Sequence, residues 1–76
     1  MKKRSLYQLV ATGPMRFLDG RHTMHSRRVY TTIAEAHSHE GEFVADCTTE
    51  RGKNDLYVLD RVDNVSVVEL ELQEED

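Results

Sequence analysis

The chain is 76 residues long, with 38% hydrophobic and 32% charged residues, 7% aromatics, a single cysteine and a formal net charge of −4. That length holds one small domain, the lone Cys47 excludes an internal disulfide, and no apolar run approaches the roughly 20 residues that cross a bilayer as a helix. The net charge conceals a split. Residues 1–30 carry Lys2, Lys3, Arg4, Arg16, Arg21, Arg27 and Arg28 against Asp19 alone, a formal +6, whereas residues 31–76 carry three bases against thirteen acids, a formal −10.

The start Met1-Lys2-Lys3-Arg4 leads into an apolar stretch, Leu6 to Ala11, that is short and interrupted by Gln8. It does not make a secretory leader, and a cytoplasmic protein is expected. Ser5 to Thr12 alternates as a strand should, with Leu6, Gln8, Val10 and Thr12 on one side and Tyr7, Leu9 and Ala11 on the other. Gly13-Pro14 predicts its end. Met15 to Thr23 is polar and contains Asp19-Gly20, a pair suited to the positive φ of a tight turn. A second strand is predicted from Met24 to Tyr30.

The clearest local signal is Thr31-Thr32-Ile33-Ala34-Glu35. Thr32 as N-cap and Glu35 three residues later form a capping box, in which each side chain satisfies a free backbone N–H of the other. Ile33, Ala36, Glu40, Phe43, Val44 and Cys47 then share a helical face, which predicts one helix from about Ile33 to Cys47. Gly41 costs that helix about 1 kcal/mol relative to Ala. Thr48 to Asn54 reads as a loop.

A closing hairpin is predicted around Asp63-Asn64, pairing Arg61 with Ser66, Leu59 with Val68 and Tyr57 with Leu70. One face of it collects Tyr57, Leu59, Val68, Leu70 and Leu72, and the other collects Val58, Asp60, Val67, Glu69 and Glu71. The fold expected is α+β in the order ββαββ, a four-stranded antiparallel sheet with one helix packed on one face. Residues 1–72 form the single domain, and Gln73 to Asp76 form an acidic disordered tail.

No catalytic motif is present. His22, His25, His37 and His39 are spaced poorly for chelation: His37 and His39 stand about 200° apart around a helix. No metal site and no cofactor are expected. Cys47 shares its stripe with Phe43 and Val44, where a free cysteine acts as a small buried hydrophobe rather than a nucleophile. Charge is what remains. Arg16, Arg21, Arg27 and Arg28 form a basic set suited to phosphates or an acidic protein surface. Asp60, Glu69 and Glu71 form an acidic set suited to a basic groove. These seven are the candidate partner-binding residues, and an exposed sheet edge offers a further route, to a partner strand or to a second copy in a homodimer.

The passage Val29-Tyr30-Thr31-Thr32-Ile33-Ala34-Glu35-Ala36 resembles the strand-into-capped-helix step of several very small phage-encoded proteins, among them the RNA polymerase inhibitor of T7-type phages and some compact anti-CRISPR proteins. That resemblance implies a non-enzymatic protein, encoded by a phage or other mobile element, that binds a larger protein or nucleoprotein and modulates or inhibits it. The alternative from the residues themselves is a direct nucleic-acid binder that uses the basic N-terminal hairpin. No membrane partner is expected.

Overall fold

The first strand organises the chain. The computed structural model describes residues 2–52 and 55–74. In it β1 (Lys2–Pro14) is the central strand of a three-stranded antiparallel sheet, order β2-β1-β3, with β2 (Arg21–His25) on one side and β3 (Asn64–Glu74) on the other. Two short helices, α1 (Ile33–Ser38) and α2 (Glu40–Cys47), lie between β2 and β3 in sequence. The order is therefore ββααβ, which corrects the expected four-stranded ββαββ sheet with one helix.

Alternation along β1 sorts the two sheet faces. Leu9 and Ala11 are fully buried and join Tyr30, Ala36, Phe43, Cys47 and Leu59 in the core, with Tyr7, Met24, Val65 and Val67 packed against it. The even-numbered residues of β1 point the other way. The register sets Leu6 opposite Leu70, Gln8 opposite Val68 and Val10 opposite Ser66 on this second face. All but the exposed Ser66 are half-buried, and none of them packs against the core cluster.

Strand pairing also departs from expectation. The second strand ends at His25 rather than reaching Tyr30, because Ser26 replaces the ladder: its N–H donates to Leu9 O at 2.8 Å and its Oγ accepts from Leu9 N–H at 3.1 Å. Tyr30 returns to the sheet in a lone bridge, exchanging both backbone bonds with Tyr7 at 2.7 and 2.8 Å. The Asp19-Gly20 turn forms with Gly20 at φ 99°, a conformation open to glycine without strain.

The predicted single helix is two. Thr32 caps α1 as read, with Glu35 N–H donating to Thr32 Oγ1 at 3.1 Å, although the Glu35 carboxylate accepts from Thr31 Oγ1 instead of closing the box. The break at His39 has a local cause. Ser38 Oγ donates to Glu35 O at 2.7 Å, occupying the carbonyl that an unbroken α-helix would offer to His39 N–H. His39 N–H turns to Ala36 O at 3.1 Å, a tighter 3₁₀-type closure that ends the first helix.

The predicted closing hairpin is absent. Val58 and Leu59 are consecutive and both fully buried, which an alternating strand does not allow. Their backbone and its neighbours bond in three directions: Arg16 N–H to Val58 O at 3.0 Å, Leu59 N–H to Cys47 O at 2.9 Å and Asp60 N–H to Pro14 O at 2.8 Å. β3 pairs instead with β1 along its whole length, from Thr12↔Asn64 to Lys2↔Glu74. Gln73 and Glu74, expected in a tail, therefore belong to the strand, while Glu75 and Asp76 lie outside the described residues.

The resulting molecule is long, 47 × 23 × 20 Å, with a radius of gyration of 14.4 Å against roughly 11 Å for a compact chain of this size. The excess comes from the β1–β3 ribbon, which runs past the end of β2 at Val10 and past the Tyr7–Tyr30 bridge.

Gly13 is where the 61–62 backbone crosses the sheet, and a Cβ there would lie 2.0 Å from Arg61 O. Gly13→Ala should cost about 1–3 kcal/mol, because backbone must move to make room. Gly41→Ala, with nothing within 4 Å of its Cβ, should be neutral or stabilise by up to about 1 kcal/mol. Urea unfolding of both variants checks the pair; equal midpoints would contradict the crossing.

Candidate functional site

The stretch after β2 touches β1 at Ser26 and again at Tyr30, and between it and α2 lies an open cleft of about 610 Å³. Phe43 and Cys47 from the buried face of α2 form its floor with Met24 and Tyr30. Its charged lining consists of Arg27 and Arg28 from the 26–30 stretch, Glu42 and Asp46 from α2, and Arg51 and Asp55 from the segment that follows. Three guanidinium groups and three carboxylates thus line it together with apolar side chains, and part of this charge is paired locally: Arg51 Nη2 lies 3.9 Å from Asp46 Oδ2, and Arg51 N–H donates to Asp55 Oδ2 at 3.2 Å.

Several contacts hold the rim in place. Ser26 Oγ donates to Arg28 O at 2.7 Å, and Gln8 Nε2 donates to Ser26 O at 2.7 Å, so the arginine-bearing stretch is tied to β1. His39 stacks on Tyr30 with ring centroids 5.1 Å apart and an interplanar angle of 17°. Its Nδ1 lies 3.0 Å from Glu42 Oε2. The hydrogen bond and the charge of His39, with a smaller contribution from Arg28, hold the Glu42 carboxyl below its ordinary range.

The seven charged residues expected to bind a partner separate into groups. Arg27 and Arg28 line the cleft, and both are exposed. Arg16 instead staples the fold: its Nη2 donates to Thr48 O, just past the end of α2, at 2.6 Å, and its guanidinium sits 3.6 Å from Glu50 and 4.0 Å from Asp60. A cation suits that position, since helix carbonyls converge there. Arg21 meets Asp63 at 2.8 Å, and Arg61 reaches the other oxygen of the same carboxylate at 2.9 Å. These two hydrogen bonds, Arg21 first, keep the Asp63 carboxyl below its usual range. Glu69 lies on β3, outside the cleft lining, and accepts from Ser5 Oγ at 2.6 Å; Glu71 follows two residues on, on the same face of the strand.

The charged lining residues that sequence reading passed over are Glu42 and Asp46 of α2, with Arg51. Their signal was present in the helix pattern, which sets Glu42 and Asp46 on the polar side of α2, but their convergence with Arg27 and Arg28 depends on where the 26–30 stretch runs. Of the remaining histidines, His25 lines the cleft, and the other two find separate neighbours. His37 Nδ1 lies 2.7 Å from Glu40, and His22 packs against Tyr57 with centroids 5.2 Å apart. Among the described residues, no three of His, Cys, Asp and Glu are grouped as a metal would require. No helix among them is long and apolar enough to cross a membrane.

Cys47 sits under the cleft floor, 1% exposed. Burial, and secondarily the adjacent Asp46 carboxylate, push its thiol up to about 11. The thiolate is the reactive species, so native Cys47 should resist iodoacetamide at neutral pH and react fast in urea. Because the folded value lies above the ordinary 9.0, the stabilisation from keeping the proton is complete below pH 9 and is lost as pH rises from 9 towards 11. Cys47→Ser should remove that alkaline loss; rapid native alkylation would contradict the burial. Compared with protein-family models, curated proteins and solved structures, the chain matches none of them.

Proposed function

We propose that this chain is a non-enzymatic binding protein of the cytoplasm, encoded by a phage or other mobile element, that modulates or inhibits a larger protein or nucleoprotein by docking through the cleft between the 26–30 stretch and α2. The observation that carries the reading is the mixed sign of the cleft lining, where Arg27, Arg28 and Arg51 stand with Glu42, Asp46 and Asp55 beside the apolar Met24, Tyr30, Phe43 and Cys47. Complementary charges around an apolar centre are the arrangement of a protein-recognition surface, where the rim selects the partner and the centre supplies affinity.

The same rim weighs against direct capture of a nucleic-acid backbone. Phosphates ask for one sign of charge, and here three carboxylates stand among the cations. Arg16 and Arg21, the other half of the basic set, are already paired with Glu50, Asp60 and Asp63. Cys47 supports the non-enzymatic part of the reading, since a buried thiol pushed up to about 11 is a poor nucleophile.

The test is a pull-down with the tagged chain and with an Arg27→Glu/Arg28→Glu variant, each with and without nuclease, read by mass spectrometry. A protein partner that survives nuclease and is lost with the double variant is the expected result, provided the variant keeps the wild-type circular dichroism. Recovery that disappears on nuclease treatment, or anisotropy showing a labelled random oligonucleotide bound with a steep salt dependence, would replace this reading with direct nucleic-acid binding.

A further inference from the structure

We propose that the outer edge of β3 is a second docking surface, which accepts an antiparallel strand of a partner protein in which basic residues alternate with apolar ones. It is separate from the cleft and does not depend on it.

The edge follows from hydrogen-bond parity. A strand residue sends its N–H and C=O to the same side, and successive residues alternate. On β1, Tyr7 exchanges bonds with Tyr30 and Leu9 bonds with Ser26, so odd-numbered residues point towards β2. Thr12 O accepts from Asp63 N–H, so even-numbered residues point towards β3. With Thr12 in register with Asn64 and Leu6 with Leu70, the even residues of β3 bond to β1, and Val65, Val67 and Glu69 direct their backbone groups outward. Among the described residues, no other strand pairs with that side. A long unpaired edge of this kind is a ready template for another strand.

Side chains specify the strand that fits. On the face of Leu9 and Ala11, Glu69 and Glu71 follow Val65 and Val67 along β3; on the opposite face stand Val68 and Leu70 in the ribbon with Leu6 and Val10, outside the core cluster. An incoming strand lies with one set of side chains across from the glutamates and the alternate set across from Val68 and Leu70. Basic residues suit the first set and apolar residues the second. Charge disfavours a second copy: full antiparallel overlap of Asn64–Glu74 with its mate centres on Glu69 and sets the two carboxylates directly opposite, a destabilising pair.

The probe is a capped heptapeptide alternating lysine and valine, used below its self-association concentration against the isotope-labelled full chain. The expected result is slowing of amide exchange at Val65, Val67 and Glu69 by about tenfold or more, with Ser66 and Val68 unchanged because β1 already holds them. Binding should weaken with salt, fail for the same peptide with glutamate in place of lysine, and fail when the lysine nitrogens that face β3 are N-methylated. Glu69→Pro removes the outward N–H together with the carboxylate and should abolish binding, and Glu69→Lys, which retains the backbone N–H and changes the charge, should weaken it. The Arg27→Glu/Arg28→Glu variant should bind as wild type, which separates this surface from the cleft. Equal binding of the N-methylated or glutamate peptide, or absence of protection on β3, would overturn the proposal. So would concentration-dependent protection of the same three amides in the free protein, which would assign the edge to a second copy.

Discussion

Everything in this structure depends on the pairing of the first strand with the last. β1 and β3 share a continuous antiparallel register from Lys2↔Glu74 to Thr12↔Asn64, and both helices and the 55–63 stretch are folded into the space that this pairing encloses. Closing so large a loop is cheap at equilibrium, since each doubling of its length costs only about 0.6 kcal/mol. It is expensive in time, because non-local pairing must form before it is rewarded. The Leu9 and Ala11 side chains then provide the surface on which Ala36, Phe43, Cys47 and Leu59 assemble.

The same pairing answers the charge split. A chain with its bases in one half and its acids in the other suggests a strongly polar molecule, but the ends that carry those charges run side by side. Arg21 meets Asp63, and Arg16 lies near Glu50 and Asp60. Much of the separation written along the sequence therefore closes on folding, and exposed ion pairs of this type each contribute about 0–1 kcal/mol. Two local concentrations of charge stand outside those pairs: the mixed-sign lining of the cleft and the glutamates of β3.

Local signals were legible where the determining atoms are close in sequence. Thr32 caps α1 as its spacing with Glu35 indicated, the alternation of β1 assigned Leu9 and Ala11 to one face, and Asp19-Gly20 marked a turn. The helix break was legible only in hindsight, because Ser38 Oγ competes for a backbone carbonyl in a way that a hydrophobic stripe does not register. The partner of β3 was the largest miss. Tyr57 to Arg61 offered a plausible strand one turn away, yet Val58 and Leu59 both had to be buried, and that demand came from Cys47, Pro14 and Arg16, far away in sequence. For the cleft, Arg27 and Arg28 stood out as adjacent cations, whereas Glu42 and Asp46 looked like an ordinary solvated helix face until the 26–30 stretch was placed opposite them.

Because Lys2 lies directly across from Glu74, the two ends of the described chain meet at one tip of the ribbon, while exposed Gly52 lies in the connection after α2. Circular permutation could join those ends by a short linker and open the chain near Gly52. The most distant pairing in the molecule would then become a hairpin, and the permuted protein would reach the same architecture through a nucleus formed between sequence neighbours.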